Sequence, residues 1–304
     1  MNLSFMNLML DRCTFPDDAK DFMSSLAKNI CELGLEDEFD GIVRYYIESG
    51  CDSNATDKLL TAFSEKSSAN FYSCWLLLLL LAAESAKPLY EKRGVTEEVF
   101  FDTFADLRYK ALECLEEHGV WGIFVPFWYV HFNKCNIIKF GRLEYEDGVY
   151  NGDEPYTVGD ITLKKGMPIK HIHIPSSGEG FDLESRLASY RMAYEFYTKE
   201  TGLDKLYGEC HSWLLYPDYE SILPEKSNIL SFRHDFDIIG RKNQDSFGDA
   251  WRLFGKAHRL PIAEYPEDTS MRRAFKKHLF EGGKSGEGIG YLIFDGERLI
   301  TERR

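Results

Sequence analysis

The stretch KHIHIPSSGEGFDLESRL, at 170–187, contains two sets of residues that could do chemistry. His171 and His173 alternate in a strand-like pattern, so both imidazoles would lie on one face, like a pair of metal ligands. Gly178 and Gly180 come next, just before a helical pattern. There, a permissive backbone and the free N–H groups of a helix N-terminus would attract a phosphate. The stretch therefore indicates either a metal site or a phosphate site.

Each interpretation has a purely structural alternative. Two histidines on a strand can simply be solvated or hydrogen-bonded to neighbours. The turn can be an ordinary start of a helix, with Asp182 as N-cap and the glycines serving the turn geometry. Glu179 and Asp182 also place two carboxylates where phosphate oxygens would bind, and like charges repel.

The bulk composition narrows the class of protein. With 304 residues, of which 44% are hydrophobic and 14% aromatic, the chain can bury substantial cores, and its length favours two domains. The net charge of -14 disfavours sequence-independent binding to nucleic acid or to an anionic membrane, since both need clustered Lys and Arg. We therefore expect no nucleic-acid partner and no membrane partner.

Cysteines and the N-terminus point to a cytoplasmic protein. The seven cysteines are dispersed and form no CxxC pair, which argues against a disulfide framework and against a zinc knuckle. The first residues, MNLSFMNLMLDRC, lack a basic segment and a small-residue cleavage site. The run WLLLLLLAA at 75–83 is shorter than the roughly 20 apolar residues that cross a bilayer, so we expect a buried core helix there.

The first part of the chain reads as helices. Apolar residues recur at helical spacing from Phe22 to Leu33, from Phe39 to Ile47 and from Val99 to Leu115. The all-apolar run at 71–83 would lie at the centre of these amphipathic helices. We predict an all-helical N-terminal domain at 1–133.

The character of the chain changes after that point. Strand-like runs alternate with a long helix at 182–200 and with shorter helical patterns at 217–223, 247–257 and 267–281. The strand-like runs are CNIIKFGRLEYE, ITLKKGMPIKHIHIP, KLYGECHSWLL, NILSFRHDFDI and GYLIFDGERLI. The glycine-rich run GGKSGEGIG at 282–290 reads as a mobile loop. We predict a mixed α/β domain at 134–304, so the fold class of the whole chain is α+β.

Four short motifs in register carry a resemblance to a known family. They are FGRLEYE at 140–146, HIP with a glycine-rich turn at 173–180, CHSWLL at 210–215 and SNILSF at 227–232. With these motifs the chain resembles bacterial acyltransferase-domain proteins. In that family a helical N-terminal domain precedes a C-terminal domain similar to the GCN5-related N-acetyltransferases (GNAT). The resemblance implies a GNAT-like C-terminal domain and acyl transfer from acetyl-coenzyme A or another acyl-coenzyme A (acyl-CoA).

The same resemblance implies where acyl-CoA would bind. In such acetyltransferases the strand before the main helix separates from the next strand, the thioester arm lies in the gap, and the pyrophosphate sits on the turn that opens the helix. The implied cofactor-binding residues are Ile172, Ile174, Ser176, Ser177, Gly178 and Gly180. The chain departs from the usual superfamily turn because no Gln or Arg precedes its glycines.

The resemblance also implies candidates for the chemical step. Strand alternation puts Glu209 and His211 on one face, where either could act as general base, and a backbone N–H near Ile174 could hold the oxyanion. Tyr216 or Tyr219 could protonate the leaving thiolate. Cys210 is a weaker candidate for a nucleophile, because nothing near it in sequence would lower the pKa of its thiol.

The histidine pair also resembles the first metal motif of cupins, but its spacing differs in two places. The pattern G-x4-H-x-H-x5-E, from Gly166 to Glu179, has one residue too few before the first histidine and too many after the second. A long helix also follows where cupins continue with strands. We therefore expect no metal.

Our principal prediction is an acyl-CoA-dependent N-acyltransferase acting on an amine of a small molecule or peptide. The alternatives are a non-catalytic GNAT-like binding module that has lost coenzyme A, and then a cupin-like metalloprotein.

Overall fold

A computed structural model describes residues 1–303. The chain divides into two compact units, one of residues 1–139 with 175–177, the other of residues 140–174 with those from 178 onward. The predicted α+β class, a helical region followed by a mixed sheet region, is confirmed.

The first unit is built from helices. Their bounds are α1 Leu3–Arg12, α2 Asp17–Glu32, α3 Glu36–Glu48, α4 Ser53–Ser67, α5 Phe71–Lys92, α6 Glu97–Phe104, α7 Asp106–His118 and α8 Tyr129–Asn133. A short 3₁₀ turn, Pro126–Trp128, precedes α8.

Helix α5 is the centre of this unit, as the all-apolar run predicts. Asn70 caps it by accepting a hydrogen bond from the N–H of Tyr72 at 2.9 Å. The Trp75 indole donates to Asp57 at 2.9 Å, and the Tyr90 hydroxyl donates to the carbonyl of Phe132 at 3.0 Å. Within residues 1–303, α5 is the one helix long and apolar enough to cross a membrane, but 67% of its most apolar window is buried inside the fold.

The second unit contains a mixed sheet with helices. Its helices are α9 Leu183–Thr201, α10 Asn228–Arg233, α11 Ala250–Phe254 and α12 Ser270–Phe280. The strands of the chain are β1 Ile137–Phe140, β2 Leu143–Val149, β3 Tyr156–Val158, β4 Ile161–Leu163, β5 Pro168–His173, β6 Leu206–Ser212, β7 Asp237–Gln244 and β8 Ser285–Phe294. Short 3₁₀ turns lie at Trp213–Leu215, Pro217–Ser221, Gly255–Arg259 and Ile262–Glu264.

Six strands form one sheet in the order β1-β2-β5-β6-β8-β7, and β3 and β4 form a separate hairpin. Strands β5 and β6 are parallel, while β2 with β5, β6 with β8 and β7 with β8 are antiparallel. Apolar side chains of the hairpin, among them Tyr156 and Leu163, pack against Ile169, Tyr207 and Tyr291. The hairpin thus covers part of one face of the sheet.

Two sequence predictions need correction. NILSFR, expected to be a strand, is helix α10, because the Ser227 hydroxyl caps it by accepting from the N–H of Ile229 at 3.2 Å. The run at 282–290 is a loop only at its start, since β8 begins at Ser285. Its alternate glycines pack closely: an added Cβ would collide with Leu215 at Gly288 and with Phe236 at Gly290.

Candidate functional site

A row of ionisable side chains crosses the sheet of the second unit. The register pairs Glu146 of β2 with His171 of β5, His171 with Glu209 of β6, and Glu209 with Tyr291 of β8. Asp237 of β7 continues the row as the partner of Tyr291. Residues paired across strands project from the same face, so these side chains lie side by side.

At the middle of the row, one carboxylate lies between two imidazoles. His171 Nδ1 lies 3.1 Å from Glu209 Oε2, and His211 Nε2 lies 3.1 Å from Glu209 Oε1. The Glu209 side chain is 14% exposed, whereas that of His211 is 51% exposed. Because its Nε2 is engaged by Glu209, His211 presents Nδ1 as the ring nitrogen that can meet a ligand.

The two imidazoles change the acidity of Glu209. Burial alone would raise the pKa of this carboxyl, but the hydrogen bonds from His171 and His211 outweigh burial and lower it to about 2. In return, the hydrogen bond to Glu209 raises the pKa of His171 above its ordinary value. A carboxylate with so low a pKa is a weak base, so Glu209 is better suited to orienting the histidines than to accepting a proton.

Gly148 makes room for His171. A Cβ added at Gly148 on β2 would collide with the Nε2 side of the His171 ring. The missing side chain therefore lets the imidazole lie across β2 while its Nδ1 side faces Glu209.

The second histidine of the opening stretch has its own carboxylate. His173 Nε2 lies 2.8 Å from Glu146 Oε2. His171 and His173 thus turn to carboxylates on opposite neighbouring strands, as a hydrogen-bonded pair would. Residues 1–303 contain no group of three or more His, Cys, Asp or Glu side chains arranged to hold a metal ion. Helix α9 follows β5 in a mixed sheet, so the cupin-like alternative is wrong in its fold.

Strands β5 and β6 begin together and then separate. Their parallel ladder pairs Lys170 with Gly208 and His171 with Glu209, and the described residues form no further pair although both strands continue. Ile172 is buried on the face opposite the histidines, next to Gly208, and Ile174 follows the end of β5. The gap between the strands therefore opens directly beyond the Glu209 cluster.

The predicted turn follows β5 and precedes α9. Ser176, Gly178 and Gly180 are exposed, and Ser177 is half-buried. Gly178 has a φ of +75°, a left-handed conformation that favours glycine, and an added Cβ there would meet no atom within 4 Å. The glycine is thus required by the turn geometry, and the space above it is open.

Asp182 caps α9, as the structural alternative predicts. Its carboxylate accepts from the N–H of Ser185 at 2.9 Å, and this backbone hydrogen bond lowers the pKa of Asp182. A carboxylate therefore already occupies part of the electropositive end of the helix.

A buried ion pair fixes the start of α9. Arg186 Nε donates to Asp235 Oδ2 at 2.7 Å, and both side chains are 0% exposed. Arg186 Nη1 also donates to the carbonyl of Phe181 at 2.9 Å, and the Tyr190 hydroxyl donates to Asp235 at 3.0 Å. These bonds fix the position of the last residues of the turn.

Tyr216 and Tyr219, the predicted proton donors, follow the end of β6 and lie outside the row of ionisable side chains. The Tyr216 ring packs against Gly286 of β8, three residues or roughly 10 Å from Ile289, the partner of His211, and its hydroxyl donates to Asn243 Oδ1 at 2.9 Å. Tyr219 lies in an aromatic core with Phe275, and burial raises its pKa. Strand β6 ends at Ser212, and the 3₁₀ turn that follows directs the chain into this core. The structure thus brings together Glu209 and His211 but neither tyrosine.

Cys210 lies on the other face of β6 from Glu209. It is fully buried, and burial raises the pKa of its thiol well above the ordinary value. It has neither the exposure nor the acidity of a nucleophilic cysteine.

Sequence reasoning missed His171 as a partner of Glu209, and it missed Glu146 and Tyr291 altogether. Burial and the charge of Glu209 raise the pKa of Tyr291. The alternation of Glu144 with Glu146 was a usable signal of a polar strand face. The contact between His171 and Glu209 depends on the strand order, which the sequence does not display.

Two family descriptions match the chain. Residues 5–135 match the N-acyltransferase N-terminal domain, and residues 137–292 match the GNAT-like C-terminal domain. The family resemblance drawn from the four sequence motifs is confirmed. No curated protein matches the chain.

Several solved structures share the fold. An acyltransferase in complex with decanoyl-CoA and teicoplanin has 19% identity and a TM-score of 0.70, over 95% of this chain and 87% of that chain. A mutant acyltransferase in complex with octanoyl-CoA has 18% identity and a TM-score of 0.70, over 94% and 86%. An acyltransferase in complex with decanoyl-CoA has 17% identity and a TM-score of 0.64, over 94% and 98%. At these identities the similarity concerns the fold alone.

Proposed function

We propose that this chain, which belongs to the family with the GNAT-like C-terminal domain, transfers an acyl group from an acyl-CoA to an amine of a small molecule or peptide. The ligands named for the similar acyltransferases, decanoyl-CoA, octanoyl-CoA and teicoplanin, support an acyl-CoA as donor and a small molecule as acceptor.

One observation carries the proposal. The parallel ladder of β5 and β6 stops at His171 and Glu209, so the gap between the strands begins where the Glu209 carboxylate is held between two histidines. A thioester lying in that gap would meet an acid–base group as soon as it emerged from between the strands.

The donor would be held mainly by backbone. Backbone groups beyond the end of β5, at Ile174, would face the thioester, and an N–H there would stabilise the developing oxyanion. The open, left-handed turn at Gly178 and the start of α9 would receive the pyrophosphate.

The proton would move through His211. An amine attacks only after losing a proton, and His211 Nδ1 can accept it while its Nε2–H donates to Glu209. The negative charge of Glu209 stabilises the imidazolium that forms, and His171 holds the carboxylate from its other side. As the C–N bond forms and the C–S bond breaks, the thiolate takes up a proton from His211 or from water.

A non-catalytic binding module is the second candidate, and the acidic turn favours it. Asp182 occupies the start of α9, and Glu179 and Glu184 are exposed beside it, so the pyrophosphate would approach three carboxylates. Such a module would keep the fold without binding coenzyme A.

The proposal is tested by incubating the protein with acetyl-CoA or octanoyl-CoA and a set of primary amines. Free coenzyme A thiol is followed in time, and acylated amines are identified by mass spectrometry. We expect thiol release that depends on the amine and falls strongly in His211→Gln. Release that is equal with and without every amine would count against acyl transfer, and failure of acyl-CoA to bind would favour the second candidate.

A further inference from the structure

A cavity of ≈ 610 Å³ lies in the second unit, apart from the histidine row. Its wall is formed by residues that follow β7, by α11 and the 3₁₀ turns after it, and by the loop between α12 and β8. Ligand-binding pockets have volumes of about 300–1,000 Å³, so this cavity can hold a small molecule. It includes the start of the glycine-rich run at 282–290.

The wall of the cavity is held in place by internal contacts. Phe247 stacks on Phe275 with ring centres 5.6 Å apart, and Tyr265 packs on Phe254 at 4.4 Å. The Tyr265 hydroxyl donates to the carbonyl of His258 at 3.0 Å. Because these aromatic groups are mutually packed, the cavity is largely formed before any ligand arrives.

The charges of the lining select for a cation. Among the described residues that line the cavity, Asp245 is the one carboxylate and His258 is the one basic side chain. Asp245 is exposed and makes no ion pair or hydrogen bond with the other described residues. Trp251 also lines the cavity, and aromatic rings attract cations; the Arg252 guanidinium already lies over this ring, 4.2 Å from its centre. The Asp245 carboxylate is therefore the group on which an organic ammonium ion would bind, with an aromatic group beside it in the same cavity.

The cavity lies at the end of the sheet toward which β5 and β6 separate. Strands β6 and β7 are both antiparallel to β8 and so run in the same direction. Ile289 of β8 pairs with His211, and Ser285, four residues earlier, pairs with Gln244, the residue before Asp245. At the rise of a strand this separation is about 13 Å. A nitrogen held at Asp245 is therefore too far from His211 to be the one that is acylated.

We propose that this cavity binds an arylalkylammonium group, with the ammonium on the Asp245 carboxylate and the aromatic ring against Trp251. The role of the cavity in the reaction rests on the proposed acyl transfer. In that reaction the cavity would anchor the part of the acceptor that is remote from the reacting amine.

The test is a calorimetric titration with three indole probes that differ in charge. Tryptamine is a cation at neutral pH, tryptophol is neutral and indole-3-acetate is an anion. We expect tryptamine to bind about fivefold more tightly than tryptophol, and indole-3-acetate more weakly than either. Asp245→Asn should remove the preference for tryptamine, and Trp251→Ala should weaken both tryptamine and tryptophol. Asp218→Asn, at an exposed carboxylate that pairs with Arg241, is the matched control and should change nothing.

The proposed cation site would be overturned by any of three results. These are equal affinity for tryptamine and tryptophol, an unchanged preference for tryptamine in Asp245→Asn, and no binding of tryptamine at about 10 mM. The role of the cavity in anchoring the acceptor is tested separately, by adding saturating acyl-CoA to the complex with tryptamine. We expect tryptamine to stay bound, and its displacement by acyl-CoA would assign the cavity to the donor instead. Acyl-CoA binding is measured on the same Asp245→Asn protein, so a failure of the cavity and a failure of acyl transfer are distinguished.

Discussion

His211 Nε2 lies 3.1 Å from Glu209 Oε1, at the point where β5 and β6 part. A carboxylate that is 14% exposed thus engages one nitrogen of an imidazole that is 51% exposed, and the other nitrogen stays available to a ligand. This arrangement gives the ring one tautomer and one orientation, which a general base requires.

The first prediction concerns His211. His211→Gln should lower the turnover number about 10²- to 10⁴-fold, the usual contribution of a positioned base. The dissociation constant of acyl-CoA should hardly change, because the histidine acts on the proton rather than on the donor. Steady-state kinetics and calorimetry separate the two. His118→Gln, at an exposed histidine of α7, is the control, and an unchanged turnover in His211→Gln would remove this residue from the mechanism.

The second prediction concerns pH and Glu209. The pKa of Glu209 is lowered from 4.5 to about 2, so its contribution to stability is present above pH 4.5 and lost as the pH falls toward 2. The pKa of His171 is raised above 6.5, so its contribution is present below pH 6.5 and lost as the pH rises through its folded value. Both contributions are present between these limits.

Glu209→Gln should therefore be most destabilised, relative to the unchanged protein, between about pH 4.5 and 6.5. Urea unfolding at a series of pH values measures this difference. NMR titration should show the pKa of His171 falling in Glu209→Gln, because its hydrogen-bonded charge is removed. A stability difference that does not vary with pH would contradict the assigned hydrogen bonds.

The third prediction uses the space beside His171. Gly148→Ala should push the imidazole away from Glu209 and so lower turnover, even though residue 148 itself meets no substrate. Gly240→Ala is the matched control, since its Cβ would meet Ile289 at 3.8 Å, an ordinary contact. Equal turnover in both variants would mean that the position of His171 does not matter to the reaction.

The fourth prediction concerns the acidic turn. Asp182→Asn keeps the N-cap but removes a charge, so acyl-CoA should bind about two- to fivefold more tightly at low salt. Gly178→Val should weaken binding, because valine is strained at a φ of +75°. Calorimetry at two salt concentrations measures both. Asp21→Asn, at an exposed carboxylate of α2, controls for net charge, and an equal effect there would mean that the turn does not receive the phosphates.

The fifth prediction concerns stability. Asp235→Asn leaves Arg186 buried without its charge partner, which typically costs 3–5 kcal/mol. Asp218→Asn breaks an exposed pair and should cost less than about 1 kcal/mol. Denaturant unfolding measures both, and a similar small loss in each would show that the buried pair contributes little.

Local sequence patterns predicted the elements whose environment is simple. Helix α5 is buried on every side from Ser73 to Ala83 and lies at the centre of its unit, and α9 begins directly after its capping residue, Asp182. Such features depend on neighbours within a few residues, which the sequence displays directly.

Elements set by tertiary packing were not predictable in the same way. The glycines of β8 resemble those of a loop in the sequence. In the structure, however, Gly288 and Gly290 leave no room for a side chain, because Leu215 and Phe236 lie against that strand. The pairing of His171 with Glu209 likewise follows from the order of strands in the sheet. Residues that meet only through strand pairing could not be assigned to one site beforehand.

The most direct measurement is thermal unfolding of the purified protein during titration with acetyl-CoA, octanoyl-CoA and free coenzyme A. A ligand present at 100 times its dissociation constant stabilises the folded state by about 2.7 kcal/mol, so the midpoint should rise steadily with at least one of the acyl-CoA donors. A midpoint that stays constant with all three ligands would contradict the assignment of this chain as an acyl-CoA-dependent acyltransferase.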